Sequence, residues 1–218
     1  LKKFSGQNIT RLGLIDYGMG NLHSVEKAFN RLNQSVVIVN KPADLENCTA
    51  LILPGVGAFD PAMENLAKTK LIPYINNWVI DGKPLLGICL GLQLLFESSE
   101  EGSSKGLGLF KGKVKKLPKQ KNQRIPHMGW SKLNKKKECP LLKTEDEQNW
   151  MYFVHSYSAD VLQEEELAAT VSFGSFNIAA VVCKNNISAC QFHPEKSGVA
   201  GERMLLSWLN WVESYAIR

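Results

Sequence analysis

Two short clusters in this chain could do chemistry together. The first is Gly87-Ile-Cys89-Leu-Gly91, a cysteine with glycine at minus two and plus two. It follows the compact apolar run Pro84 to Ile88 and precedes Leu90 to Glu97, where apolar residues at 90, 94 and 95 suit one helical face. A strand, Gly-x-Cys-x-Gly and a helix in that order form a nucleophile elbow carrying a thiol, a sharp turn that pushes the side chain out at the edge of a sheet. Glycine is needed where strand and helix pass too close for a Cβ. The turn also aims the Leu90 N–H and the positive end of the helix at the sulfur, offering one oxyanion donor. The alternative is a buried structural cysteine at a strand end.

The second cluster is His193-Pro-Glu195, at the end of the strand-like run Ile187 to Phe192. Proline stiffens the turn and can return the carboxylate to the imidazole, fixing its tautomer and stabilising the imidazolium. Of the other histidines, His23 falls on the surface of a helix. His127 and His155 lie in strand-like segments among aromatics and Met, where a satisfied structural role is expected. Cys89, His193 and Glu195 then read as thiol nucleophile, base and orienting acid. The acid follows the histidine here, whereas an α/β-hydrolase places it before. That order weighs against an ester or lactone hydrolase.

These residues need a scaffold. Arg11 to Asp16 reads as a buried strand running into Tyr17-Gly-Met-Gly-Asn21, with Asn21 placed to cap a helix whose apolar face is 25, 28, 29 and 32. Ser35 to Val39 and Ala50 to Leu53 are further strands. Alternating strands and helices over the first 97 residues predict an α/β fold with an open, mostly parallel, doubly wound sheet, its active site outside the carboxyl ends of the strands. Pro54-Gly-Val-Gly-Ala-Phe59 lies at such an end. No Lys-Ser or Lys-Thr follows, so it is no phosphate loop; beside Cys89 it is the natural second donor of an oxyanion hole, a plain tight turn being the alternative. From Ser98 onward the periodicity weakens, predicting a small insertion of short antiparallel strands. Lys184-Asn-Asn186 reads as a hairpin, and Gly198 to Ser214 as a closing amphipathic helix with apolar residues at 204, 205, 208, 209 and 212. The whole of 1–218, with an ordered core of about 11–215, is expected to be one domain.

Hydrophobic residues make up 44% and charged residues 22%, the balance of a globular domain. Five cysteines, an odd number without CxxC spacing, favour a reduced cytoplasmic protein and argue against a zinc site. No stretch approaches a membrane span, and Leu1 to Gln7 has no apolar leader core. The net charge of +5 is concentrated between Lys111 and Lys143. Few aromatics interleave with those lysines, so a nucleic-acid groove is not expected; a solvated face or an acidic partner remains open.

Gly87-Ile-Cys-Leu-Gly-Leu-Gln93 and Gln191-Phe-His-Pro-Glu-Lys-Ser197 together resemble the class I glutamine amidotransferases, a likeness running from Asp16 to Ser197. Asp16-Tyr-Gly-Met-Gly-Asn21, Pro54 to Phe59, His127-Met-Gly-Trp130 and Tyr152-Phe-Val-His-Ser-Tyr157 narrow it to the glutaminase subunits of imidazole glycerol phosphate synthase, in histidine biosynthesis. Leu92 stands where Met is frequent in that family, and Ser131 where Asn is common. The resemblance implies a flavodoxin-like fold and attack of Cys89 on the side-chain amide of glutamine, with His193 and Glu195 completing the triad. It implies an oxyanion held by the Leu90 and Val56 N–H groups after the peptide at Gly55 turns over, and substrate contacts from Gly57, Gln93, Glu101, Ser156 and Tyr157. Tyr17, Asn21, Trp130, Tyr152 and Lys196 would face a partner, and no metal or organic cofactor is needed. The implied partner is a (β/α)8-barrel cyclase that receives the ammonia. Such a barrel takes roughly 250 residues, so it is expected as a separate subunit of a heterodimer. A sister amidotransferase serving another acceptor, or a non-catalytic binding subunit on the same fold, are the alternatives.

Overall fold

The computed structural model describes residues 10–143 and 149–215; Leu1 to Gln7 and the outer limits of the expected 1–218 domain lie outside them. Five strands are parallel: β1 (Leu12–Ile15), β2 (Val36–Val39), β3 (Ala50–Gly55), β4 (Leu85–Cys89) and, late in the chain, β12 (Ile187–Cys190). They lie in the order β2-β1-β3-β4-β12. Their apolar runs are continuous because both faces are covered. Alternate residues serve opposite layers. Leu12, Leu14, Ile52, Leu86 and Ile88 pack with Phe29 of α1 (Leu22–Arg31) and Leu205 and Trp208 of α5 (Gly198–Tyr215). Leu51, Leu53 and Leu85 pack with Phe59 and Leu66 of α2 (Phe59–Lys68) and Ile75 and Trp78 of α3 (Ile72–Ile80). On α5 the expected apolar residues 204, 205, 208, 209 and 212 are all buried.

Asn21 caps α1 as expected, its side-chain oxygen accepting the Ser24 N–H at 3.3 Å. The helix after Cys89 is shorter than predicted: α4 spans only Leu90–Leu94. Its residues are buried all round, so there is no solvent face to prolong. The Leu95 and Phe96 N–H groups close onto the Leu92 and Gln93 carbonyls, and Phe96 stacks on Phe110 with centroids 5.4 Å apart.

The antiparallel part is larger than a small insertion and is not set apart. β11 (Phe176–Lys184), β10 (Leu167–Phe173), β7 (His127–Lys135) and β8 (Trp150–His155) continue the same sheet beyond β12 to make nine strands. The β11–β12 hairpin turns at Asn185, φ 49°, where the sequence placed it. A second sheet of three strands holds β5 (Ser98–Ser99), β6 (Gly112–Lys116) and β9 (Tyr157–Val161). Several lysines of the basic stretch are internally paired: Lys111 with Glu97, Lys113 with Glu100, Lys115 with Asp160 and Lys136 with Glu164. That leaves less bare positive charge than the composition suggested. No helix among the described residues is long and apolar enough to cross a membrane.

Candidate active site

Cys89 ends β4 and directly precedes α4, with φ 55° and ψ −110°, a backbone conformation that L-residues rarely hold. The flanking glycines are there for close approach. A Cβ on Gly91 would lie 1.8 Å from the Leu53 carbonyl oxygen, and one on Gly87 would meet Ala189, Leu92 and Leu95 at 3.1 Å. Pairing puts Cys89 beside Gly55 on β3 and Ile88 beside Cys190 on β12. The thiol therefore stands where three parallel strands end, and is 6% exposed.

His193 leaves β12 three residues later. Pro194–Lys196 makes one 3-10 turn that brings Glu195 Oε1 to 2.7 Å from His193 Nδ1, both side chains being almost fully buried. Ser197 fastens the turn: its hydroxyl donates to the His193 carbonyl at 2.6 Å and accepts the Tyr152 N–H at 3.0 Å. Burial alone would lower the pKa of His193. Hydrogen bonding and the charges of Cys89 and Glu195 outweigh it and raise the pKa to about 10. The imidazole thus lies between the Cys89 sulfur and the Glu195 carboxylate, the arrangement of a thiol nucleophile, its base and an orienting acid.

A cavity of about 310 Å³ opens over the sulfur. All five residues expected to contact substrate line it: Gly57, Gln93, Glu101, Ser156 and Tyr157. Gln93 donates to the Tyr157 carbonyl and to Gln191 Oε1, each at 3.1 Å. Glu101 Oε2 accepts the Phe59 N–H at 2.9 Å, which ties its loop to the start of α2. Leu90 and Val56 also line the cavity, but the Val56 N–H points elsewhere: it donates to the Met19 carbonyl at 2.9 Å. Gly55 is packed closely, since a Cβ there would fall 2.4 Å from the Tyr17 hydroxyl and 2.9 Å from Leu90 Cβ.

The residues expected to face a partner divide. Trp130 is 53% exposed and meets the half-buried Tyr152 edge-on at 6.0 Å, while Asn21 and Lys196 are exposed. Tyr17 is a correction. It is 5% exposed, and its hydroxyl donates to the Pro54 carbonyl at 2.8 Å, so it supports the Pro54–Gly57 loop from beneath. Burial, then the charge of Cys89, drives its phenol well above the usual range.

Two residues had no role assigned from the sequence, and a third has one beyond the role expected. Gln191, fully buried, directs its amide at the Cys89 sulfur from 3.9 Å. Gly201 lets α5 rest on the His-Pro-Glu turn, for a Cβ there would lie 1.9 Å from the Pro194 carbonyl oxygen. His155, expected to be structural, is satisfied as foreseen but also lines the cavity. The sequence signal for Gln191 was its place in the motif around His193. Gly201 had none beyond the small residues opening a helix.

The family model of glutamine amidotransferase class-I matches residues 13–209. The chain is 66% identical over 203 residues to imidazole glycerol phosphate synthase subunit HisH of Prochlorococcus marinus (strain MIT 9211), covering 93% of this chain and 95% of that one. It is 57% identical to the protein of the same name from Synechococcus sp. (strain CC9902), covering 94% and 96%. Among solved structures it resembles PurLQS from Thermotoga maritima (TM-score 0.73, 19% identity, 93% and 99% covered) and a glutamine amidotransferase from the same organism (TM-score 0.57, 18% identity, 96% and 86% covered). These two likenesses speak to the fold. With a cysteine elbow, a His-Pro-Glu turn and a family match over nearly the whole chain, this protein belongs to the class-I glutamine amidotransferases.

Proposed function

We propose that the chain, acting as one domain, is the glutaminase subunit of an imidazole glycerol phosphate synthase. The observation that carries the reading is the buried Cys89–His193–Glu195 constellation opening into a cavity of amino-acid size. Cys89 gives its thiol proton to His193 as its sulfur bonds to the side-chain amide carbon of glutamine. The oxyanion is met by the Leu90 N–H, and by the Val56 N–H once its peptide turns away from Met19. His193, its Nδ1–H held by Glu195, gives its proton to the departing nitrogen, and the C–N bond breaks to release ammonia. It then takes a proton from water as that water attacks the thioester and frees glutamate. Gly57, Gln93, Glu101 and the Ser156–Tyr157 backbone hold the amino acid. None of these steps calls for a cofactor.

Ammonia free in cytoplasm would be protonated, so it passes to a docked (β/α)8 cyclase, a separate subunit, which makes imidazole glycerol phosphate and aminoimidazole carboxamide ribotide. Trp130, Tyr152, Asn21 and Lys196 face that partner, and Tyr17 supports the loop the partner must move. Support for the partner comes from the relatives, which are named as subunits of a synthase, and from the withheld Val56 donor. The test is glutamate release by the chain with and without a cyclase subunit and its ligand, beside Cys89→Ala. One oxyanion donor is worth about 10²–10³ in rate, so activation of that order is expected, with none in the variant. Equal activity in both states would remove the gate. No activity with the cyclase would point to another acceptor.

A further inference from the structure

β7 and β8 pair so that His127 stands opposite His155. His155 Nδ1 is 2.8 Å from the Tyr157 carbonyl, which can only accept, so Nδ1 carries a proton. Burial, only partly opposed by that carbonyl, lowers the pKa of the ring to about 4, so at neutral pH Nε2 is a bare acceptor. His127 Nδ1 lies 3.1 Å from it and is therefore the donor. His127 Nε2 must then accept, and Ser131 Oγ at 3.0 Å donates to it. Every ring nitrogen has a single role, and both tautomers are determined. At the far end, the Tyr157 carbonyl takes a second bond from Gln93, whose other N–H goes to Gln191, whose amide reaches the Cys89 sulfur. One polar chain thus runs from the exposed ribbon of β7 to the nucleophile.

We propose that His155, held in its Nδ1–H tautomer by His127, is a positioning residue for glutamine: it fixes the Tyr157 carbonyl that orients Gln93, and so sets the cavity wall opposite Cys89. This rests on the glutaminase reading and adds to it a residue that acts through the Tyr157 carbonyl and Gln93. An apolar side chain would fill the same space but leave the carbonyl with one partner in place of two.

Two variants separate positioning from packing. An Asn amide hangs from Cγ as Nδ1 does, so His155→Asn keeps the donor to Tyr157. His155→Gln reaches the Nε2 position and loses that donor. With the cyclase subunit present, H155Q should raise KM for glutamine about tenfold with kcat changed less than about threefold, and H155N should keep KM within about threefold. Both variants remove the ring, so a merely packing role would lower their melting temperatures alike and leave their KM values equal. That result overturns the proposal. A nitrogen-15 spectrum of the histidine-labelled chain gives an independent reading: protons on Nδ1 of both His127 and His155 support the chain of bonds, and a proton on His155 Nε2 at neutral pH overturns it. A wild-type complex that releases no glutamate would count against the function above, and the spectrum would still decide the relay.

Discussion

Gly201 offers a sharp test of how the base is held. By helix propensity alone, Gly201→Ala inside α5 should stabilise the protein by about 1 kcal/mol. The contacts argue otherwise. The new Cβ would lie 1.9 Å from the Pro194 oxygen, 2.8 Å from the Pro194 carbonyl carbon and 2.9 Å from Ser197 Cβ. An ordinary carbon–oxygen contact is about 3.3 Å, so roughly 1.4 Å of separation has to be found. Neither side is soft. The Pro194 carbonyl accepts the Ser197 N–H, and Ser197 is bonded to His193 and Tyr152, while α5 is anchored by buried Leu205, Trp208 and Leu209.

Overpacking of this kind costs about 1–3 kcal/mol, which exceeds or cancels the propensity gain. The larger effect falls on catalysis, because His193 and Glu195 sit on the displaced turn, and about 1 Å of misplacement costs on the order of 10²-fold in rate. Glutaminase assays with the cyclase present should therefore show kcat reduced about 100-fold. Urea unfolding should show stability unchanged or lower by about 2 kcal/mol. Val199→Ala, at a 71% exposed position on the same turn of helix, should do neither. A Gly201→Ala protein that is more stable than wild type and equally fast would refute the packing argument.

Two further predictions concern protons. In the folded chain His155 titrates near 4, against 6.5 for a free imidazole, so the native state refuses a proton that the unfolded chain accepts. Its stability contribution is complete above pH 6.5 and is lost as pH falls toward 4, by about 3 kcal/mol in all; urea unfolding across that range should show a flatter profile for His155→Asn, and parallel profiles would contradict it. Replacing Cys89 with Ala should lower the His193 titration from about 10, because the sulfur's hydrogen bond is the first of the contributions that raise it; an unchanged midpoint in an NMR titration would assign the whole effect to Glu195.

The site was legible where chemistry is local in the chain. Glycines two residues either side of Cys89, a proline between His193 and Glu195, and Asn21 before a helical face each act within a few residues. What could not be read depends on contacts between distant segments. Tyr17 looks like a surface aromatic until β1 and β3 are paired, which places its hydroxyl under Pro54, 37 positions on. That the Val56 peptide has to turn over was expected, but not that the Met19 carbonyl holds it in the meantime. A helix of 90–97 was a fair reading of its apolar spacing, but that spacing cannot tell a buried single turn from an amphipathic helix. The antiparallel strands were expected; that they would extend the parallel sheet rather than leave it depends on the pairing of β11 with β12, which no periodicity encodes.

One feature of the sheet reaches beyond catalysis. β4 and β12 are hydrogen-bonded neighbours, Ile88 beside Cys190, although the residues they deliver, Cys89 and His193, are far apart in sequence. Their spacing is set by a backbone ladder, not by the chain that travels between them. That intervening chain leaves from α4 and returns through β11, carrying the ribbon of Trp130 and Tyr152 on its way. That stretch is bonded to the His193 turn through the Tyr152 backbone and lines the cavity with Glu101, His155 and Tyr157, so its outward side chains, not its length, can be rewritten without moving sulfur relative to imidazole. In such a design the ribbon's outer side chains can change with the companion protein, while its backbone stays bound to the turn that carries the imidazole.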